Sequence, residues 1–441
     1  MIRIIPTTAA LLLLAGTLSA QESGSQPWTL KRCIDYARQK NIQIEESRIS
    51  AEISRVELHA AKGQRLPSLG FSTTQSVINQ RRENATGALG SAASYSGNYG
   101  LDAGWTLYNG GKVKNTVRQQ EALVRGGQYD VNKAENDIEI AVTQYYLEIL
   151  YANEALTIAR QTLEVSQAEL ARAEELCKAG SISVSDLAQI KAQRSSDNYQ
   201  VTVAENSLAQ ARLDLKQLLE LGLDEPFEVS FPELSDSQVL LPVPTLASVY
   251  RTALETMPEI QSSRTGIEAA ELEEKIASAA RLPTVSLSAG IGTGNFSGSG
   301  ISFGNQLDRK FNQSAGLSIS VPIFSNRQAS SSIARAKLQT VSARLELTAA
   351  EKELLKTVES LHQDVVSAQS RYRAAEDQTE ATRQSYELVS KQFDAGMKNT
   401  VELLTEKNNY LSAQREQLQA KYQAILSLKL LNFYRGESIE L

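Results

Sequence analysis

Few residues of this sequence have types and spacing suited to catalysis. The chain has two histidines and two cysteines, which excludes histidine-rich metal clusters and four-thiolate sites. Gly111-Lys112 lacks the earlier glycine and the following Ser or Thr of a phosphate-binding loop. The glycines within 290–294 follow a strand pattern but open no helix. We therefore predict no catalytic residue, no metal site and no cofactor, and hence no enzyme.

Charge and composition narrow the class of protein further. The 441 residues carry 45 basic and 51 acidic side chains, a formal net charge of -6, which argues against a nucleic-acid partner. Aromatic residues make up 6% of the chain, so the core must be built from Ala, Leu, Val and Ile. Cys33 and Cys177 fall on different helices, far apart along the helical axis, and are expected to remain thiols.

The N-terminus has the pattern of a secretory signal peptide. Arg3 precedes an apolar run over 9–18, and Leu18-Ser19-Ala20 ends in a small residue. We therefore predict a signal peptide over 1–20. No later apolar stretch approaches the length of a membrane-spanning helix, so any membrane insertion must use strands.

The sequence contains an internal duplication. Arg65-Leu66-Pro67 recurs as Arg281-Leu282-Pro283, and Ala179-Gly180 recurs as Ala395-Gly396, each at a shift of 216 residues. The predicted domains are a first repeat over 21–221, an equatorial linker over 222–245, a second repeat over 246–435 and a short tail over 436–441.

Each repeat predicts the same order of elements. A helix of about thirty residues is followed by two strands, a very long helix and a returning helix; the predicted helices are 30–62, 112–178 and 185–221, then 246–279, 327–394 and 401–433. Apolar residues of the long helices step by three or four, which is the spacing of a coiled coil. Taken alone, the helices are also compatible with a hairpin that provides only length.

Four segments alternate apolar and small polar residues, as in strands with one apolar face. They are 66–78, 97–108, 283–294 and 312–324. A soluble sheet would pack this face on a helix, whereas a membrane barrel would turn it to lipid. Trp105 is expected near the membrane interface and Ile319 deeper. The predicted lipid-facing positions are Leu69, Phe71, Tyr99, Leu101, Ala103, Trp105, Val285, Leu287, Ala289, Ile291, Leu317, Ile319 and Val321.

Four strands cannot close a membrane barrel alone, because about eight is the minimum. Open strand edges cannot exist in lipid, so the chain must associate with copies of itself. By strand count a dimer, a trimer and a tetramer all close.

In the order of its motifs the sequence resembles the TolC-like outer-membrane efflux family. The matching segments are Arg65-Leu66-Pro67-Ser68-Leu69, Trp105-Thr106-Leu107-Tyr108-Asn109-Gly110-Gly111, Ala179-Gly180-Ser181, Val321-Pro322-Ile323-Phe324 and Ala395-Gly396-Met397. No single motif is specific, but their order and the duplication are.

The resemblance implies a mostly α fold with β: duplicated coiled-coil-like helices and four transmembrane strands, forming a trimeric 12-stranded β-barrel on an α-helical periplasmic barrel. It implies a homotrimer in the bacterial outer membrane, in contact with its lipid, with a large periplasmic portion. The implied function is the exit duct of a tripartite efflux pump or a type I secretion system. The implied partners are a periplasmic adaptor (membrane fusion protein) and an inner-membrane transporter of RND or ABC type.

The resemblance also carries two sets of candidate site residues. The adaptor-docking helix turns are Ala179, Gly180, Ser181, Ala395, Gly396 and Met397. The aperture residues are Asp186, Phe393, Lys398, Glu402 and Thr405, with Asp186 and Lys398 expected to pair and Glu402 expected to form a ring of three carboxylates. The alternative function is a soluble periplasmic coiled-coil or adaptor-like protein, for which no flanking β-rich modules are readable.

Overall fold

A computed structural model describes residues 27–83, 89–232 and 234–441, so the predicted signal peptide lies outside the described residues. The helices are α1 Leu30–Lys40, α2 Ile42–Gly63, α3 Lys112–Lys178, α4 Val184–Leu218, α5 Asp236–Val239, α6 Leu246–Thr256, α7 Pro258–Ser278, α8 Phe303–Arg309, α9 Gln328–Asp394 and α10 Thr400–Tyr434. The strands are β1 Ser68–Glu83, β2 Leu89–Asn109, β3 Thr284–Phe296 and β4 Asn312–Ser320.

The long helices recur with the shift found in the sequence. Helices α3 and α9 both have 67 residues, and α4 and α10 both have 35. Each pair begins and ends 216 residues apart, from 112 to 328 and from 218 to 434. Helix α3 packs against α4 and α9 against α10, so each repeat supplies one long antiparallel hairpin.

The first helix of each repeat is broken, and the prediction of continuous helices over 30–62 and 246–279 is wrong. Asn41 is extended between α1 and α2, and its side chain accepts hydrogen bonds from the backbone of Gln43 and Ile44. Met257 is extended between α6 and α7 because a proline, Pro258, follows it. The apolar periodicity continues through both breaks and therefore hides them.

The core between the hairpins gathers segments from the whole chain. Trp28 forms a parallel bridge with Val229, and both are buried beside α1 and α3. The Tyr146 hydroxyl donates to the Ser230 carbonyl at 2.7 Å. Ile439, near the C-terminus, is buried in the same cluster. The equatorial segment thus packs with both ends of the described chain.

The four strands form one antiparallel sheet in the order β1-β2-β3-β4. Its register aligns residues of neighbouring strands in four rows on one face; these rows are apolar except for Gln313, and no described helix covers them. From the helical end the rows are Tyr108, Val285 and Ile319; Trp105, Leu287 and Leu317; Leu69, Ala103, Ala289 and Ala315; Phe71, Leu101, Ile291 and Gln313. Opposite them lie Gly and Ser with Asp102.

The sheet corrects the predicted strands in three places. A bulge at Leu107 shifts the register, so Tyr108 rather than Leu107 joins the apolar face. Strand β4 ends at Ser320 and not at residue 324, because Pro322 has no N–H to donate, and Val321 lies beyond it. Ile319 lies one row nearer to the helices than Trp105, so its predicted greater depth is wrong.

Strands β1 and β2 also extend farther from the helices than predicted. They pair up to Glu83 and Leu89. A short helix, α8, follows β3, and the Thr293 hydroxyl donates to its Leu307 carbonyl at 2.5 Å. Within the described ranges, no helix combines the length and the apolar character needed to cross a membrane.

The apolar rows predict a depth-dependent cost for charge. We expect Ala289→Arg, in the third row, to destabilise the protein by about 2–4 kcal/mol, and Ile319→Arg, in the row nearest the helices, by about 0–1 kcal/mol. Denaturant unfolding of protein refolded in lipid vesicles measures both. Ser288→Arg, one residue away on the opposite face, is the matched control. A larger loss for Ser288→Arg than for Ala289→Arg would show that the opposite face meets lipid, and equal losses would contradict a single lipid-facing side.

Candidate aperture at the helix turns

The two long helices end in the same backbone motif. Gly180 has a φ of +74° and Gly396 a φ of +72°, the left-handed region that favours glycine. After Gly180, the Ser181 N–H donates to the Leu176 carbonyl at 2.9 Å, and after Gly396 the Met397 N–H donates to Gln392 at 2.9 Å. These bonds close each helix and reverse the chain within a few residues. Ala179, Ser181, Ala395 and Met397 are exposed around them.

Each returning helix begins with a capping box. The Asp186 N–H donates to the Ser183 hydroxyl oxygen at 3.1 Å, and the Ser183 N–H donates back to the Asp186 carboxylate at 3.2 Å. In the second repeat the Glu402 N–H donates to Asn399 Oδ1 at 2.9 Å, and the Asn399 N–H donates to Glu402 at 3.1 Å. Both aperture acids therefore have a helix-capping role within one chain.

The expected pairing of Asp186 with Lys398 is not formed within one chain. The Ser183 hydroxyl donates to Asp186 at 2.6 Å and is the main cause of its lowered pKa. Lys398 instead forms an ion pair with Glu402, one turn along α10. This pair, followed by the Asn399 N–H, lowers the pKa of Glu402. The carboxylate expected to charge the pore thus has a cation beside it.

The other two aperture residues differ in environment. Phe393 is buried with Ala173, Ile190 and Leu403 in what we call the tip cluster, to which all four long helices contribute. Thr405 is exposed, and its hydroxyl donates to the Val401 carbonyl at 2.8 Å. Phe393 therefore holds the hairpins together, while Thr405 presents an uncharged surface.

Sequence reasoning missed a buried polar layer directly above the tip cluster. It consists of Ser166 and Glu169 on α3, Asp197 on α4, Tyr386 on α9 and Lys407 on α10. Lys407 Nζ donates to Ser166 Oγ and to Glu169 Oε2, both at 2.6 Å, and lies 3.5 Å from Asp197 Oδ2. The side chains of Lys407 and Asp197 are 2% and 5% exposed. The layer thus ties both hairpins through buried charges.

Further hydrogen bonds complete the polar layer. The Ser166 hydroxyl donates to Asp197, and the Tyr386 hydroxyl donates to Glu169 at 2.6 Å. Burial first, and then the Glu169 carboxylate, raise the pKa of Tyr386 far above its usual range, so it remains a donor. One signal was available in the sequence: Lys407 falls midway between the buried Leu403 and Leu411, four residues from each.

Among the described residues, no group of three His, Cys, Asp or Glu side chains is arranged to hold a metal ion. Cys33 and Cys177 are both free thiols, and burial raises the pKa of Cys33 to about 12. Buried in the equatorial core, the Cys33 thiol packs as a small apolar group.

Duplicated long hairpins, tight turns at one end and a sheet with an uncovered apolar face at the other define a channel that joins an outer membrane to a long helical duct. A family model described as outer membrane efflux protein matches residues 33–220 and again residues 249–437. The chain belongs to this family. It is an outer-membrane efflux or secretion channel whose helical portion extends into the periplasm.

Known proteins similar to this chain support the same assignment. Outer membrane efflux protein BepC of Brucella suis biovar 1 is 22% identical over 429 residues, 96% of this chain and 89% of that protein. Outer membrane protein TolC of Escherichia coli K12 is 21% identical over 425 residues, 94% of this chain and 84% of that protein. The structure of outer membrane protein VceC from Vibrio cholerae superposes with a TM-score of 0.79 at 17% identity, covering 93% and 97% of the two chains.

The Lys398–Glu402 ion pair predicts opposite effects of removing its two members. Glu402→Gln leaves an uncompensated ammonium and should shift the channel toward anions. Lys398→Met leaves a carboxylate and should strengthen cation preference at neutral pH. Lys398 lowers the pKa of Glu402, so the pKa of Glu402 should be higher in Lys398→Met. As the pH is lowered, this variant should therefore lose its cation preference at a higher pH than the pH at which Glu402 of the unmodified chain becomes protonated.

Reversal potentials across a salt gradient in planar bilayers measure this preference. Lys178→Met is the matched control, because it breaks an exposed ion pair with Glu175 at the end of α3. Identical reversal potentials for the Glu402 and Lys398 variants would exclude both side chains from the conducting path.

Proposed function

We propose that three copies of this chain form a closed exit duct that receives substrate from an inner-membrane transporter through a periplasmic adaptor. The observation that carries the proposal concerns the two lateral sides of the folded chain. On each side, a strand edge without a partner among the described residues lies beside a helix with an exposed apolar stripe. Such a unit is complete only when its two sides meet those of other copies.

The sheet supplies the first pair of complementary sides. Strands β1 and β4 are its edges, and each pairs with one other strand among the described residues. Since the four strands alternate in direction, β4 of one copy would run antiparallel to β1 of the next. Within hydrocarbon, every N–H and C=O of these edges requires such a partner.

The helices below the sheet supply the second pair. Contacts place them in the order α2, α3, α7, α9, which parallels the order of the strands they adjoin. The outer helices expose apolar stripes on the side away from their cores. These stripes are Ile42, Ile49, Ile53 and Val56 on α2, and Leu338, Val341 and Leu345 on α9.

The two stripes lie at overlapping heights. Counted from the helix end nearest the sheet at 1.5 Å per residue, Val56 to Ile49 lie about 10–21 Å down, and Leu338 to Leu345 about 15–26 Å down. A head-to-tail contact of α9 with the α2 of the next copy would bury both. Repetition of such a contact closes into a ring when its rotation fits.

Three copies give twelve strands, and membership in the family favours this number over the two or four that also close by count. A soluble adaptor-like protein would cover the apolar face of its sheet, yet Leu69 is 71% exposed and Phe71 69% exposed. The uncovered face favours a membrane duct over that alternative.

Docking is proposed at the opposite end of the chain. The turns at Gly180 and Gly396 expose Ser181 and Met397, the latter 70% exposed, at the farthest point from the sheet. A periplasmic adaptor linked to a transporter of RND or ABC type would contact the duct there. The energy for export would come from that transporter.

A charge in the α9 stripe tests the assembly. Val341→Glu should abolish stable trimers, because closure would bury an unpaired carboxylate. Gln339→Glu is the matched control, since it adds the same charge on the polar side of α9. Native mass spectrometry of detergent-extracted protein measures the copy number. Intact trimers of Val341→Glu, or a different copy number for the unmodified chain, would contradict the proposed assembly.

Bulky substitutions at the turns test the docking separately. Ser181→Trp and Met397→Trp should each block export while leaving the trimer intact, because neither side chain contributes to the hairpin core. Export of a substrate by cells that carry the complete system, together with adaptor crosslinking, measures the effect. Normal export and crosslinking by both variants would remove the turns from the adaptor contact.

A further inference from the structure

We infer that Lys407 is a positioning residue: through the polar layer it latches α10 to the α3–α4 hairpin and thereby holds the aperture residues in place. The inference rests on the proposed function, because a latch has meaning only in a duct that opens. It assigns a role to residues outside the turns, in a layer one heptad beyond the tip cluster.

The polar layer lies between the hairpins because three of its residues are one heptad away from residues of the tip cluster. Ser166, Asp197 and Tyr386 each lie seven residues from a member of the tip cluster, namely Ala173, Ile190 and Phe393. An apolar layer at the tip is therefore followed by a charged layer in the same four-helix interface.

The charges of the layer do not balance. Lys407 brings one positive charge, whereas Glu169 and Asp197 bring two negative charges, and the hydroxyls of Tyr386 and Ser166 are uncharged. The ammonium donates two hydrogen bonds and lies 3.5 Å from the Asp197 carboxylate, and all three partners belong to the other hairpin. Removal of Lys407 would leave two buried carboxylates facing each other without compensation.

Packing above the layer is incomplete. A groove of about 240 Å³ lies between α3, α4 and α10, with Asp197 in its wall. Its other walls include Ala155, Ala159 and Leu411. The hairpins are therefore not held by a tight apolar seam on this side, and the charged layer carries more of the contact than an interior layer of a uniform coiled coil would.

Lys407 also fixes the orientation of α10. It lies on the buried stripe of that helix with Leu403 and Leu411, whereas Thr405 is exposed and Glu402 is half-buried on the other side. Rotation of α10 about its axis would break the contacts of Lys407 and would move Glu402 at the same time. The ion pair of Lys398 with Glu402 is thus presented by a helix whose rotation Lys407 sets.

The layer is not a product of the duplication. At the shift of 216 residues, Lys407 corresponds to Lys191, which is exposed, and Asp197 corresponds to Ala413. The charged contact therefore occurs once per chain. Lys191 in turn provides a matched control, a lysine at the same position of the other hairpin with no partner in the interface.

Single-channel recording of assembled protein in planar bilayers tests the latch. We expect Lys407→Met to raise the ratio of open to closed time by roughly 100-fold or more, since it leaves buried carboxylates without a countercharge in the arrangement that joins the two hairpins. Lys407→Arg should retain most of the closure. The triple variant Lys407→Met with Glu169→Gln and Asp197→Asn should close again, because no charge is left unpaired. Lys191→Met should match the unmodified chain.

The readouts separate a latch from a general loss of stability. A purely structural role would lower the yield of trimers but leave the gating of assembled channels unchanged, and that result would overturn the inference. If Lys407→Met does not assemble, the double variant Glu169→Gln with Asp197→Asn, which leaves the buried ammonium without a countercharge, must still raise the open fraction above that of Lys191→Met, or the inference fails. Failure of the unmodified chain to form conducting trimers would instead contradict the proposed function.

Discussion

Backbone polar groups in hydrocarbon must be paired, and this constraint governs the architecture of the whole chain. A four-stranded sheet leaves β1 and β4 with unpaired edges, which an outer-membrane channel cannot tolerate. The chain cannot cover these edges with its own helices, because the long hairpins extend away from the sheet. We therefore propose closure by further copies, with lateral contacts that continue down the helices through α2 and α9.

Duplication supplies this architecture with matched parts. The two hairpins have equal lengths and equal turns, so both reach the same distance from the membrane. The two repeats nevertheless differ in the length of their strands and in the charged contacts between their hairpins. Strands β1 and β2 are longer than β3 and β4, and the charged layer uses Lys407 but not Lys191. The equal length of the two hairpins suits a duct, whereas the differences between their sequences allow contacts such as that of Lys407 with Glu169.

Much of the fold could be predicted from the sequence, because long periodic helices and alternating strands carry strong signals. The prediction failed where the backbone departs from a regular helix or strand but the spacing of apolar residues continues unchanged. Asn41 and Met257 interrupt helices between turns of an unbroken apolar stripe, and the bulge at Leu107 exchanges one apolar side chain for another. The site was less predictable. The resemblance identified Asp186 and Glu402 by their positions in the sequence, but it did not indicate that both side chains cap the helices on which they lie.

The polar layer shows why a charge can be useful where an apolar residue would pack more strongly. A buried lysine with two carboxylates loses hydration that an apolar layer would not lose, so it is a poor source of net stability. Helices of 67 residues with a repeated Ala and Leu pattern, however, could slide by one heptad at little cost. A single charged layer opposes such a slip, because any other register would leave Lys407, Glu169 and Asp197 buried without partners. The layer therefore trades stability for a defined register, and a defined register is what keeps both turns level at the aperture.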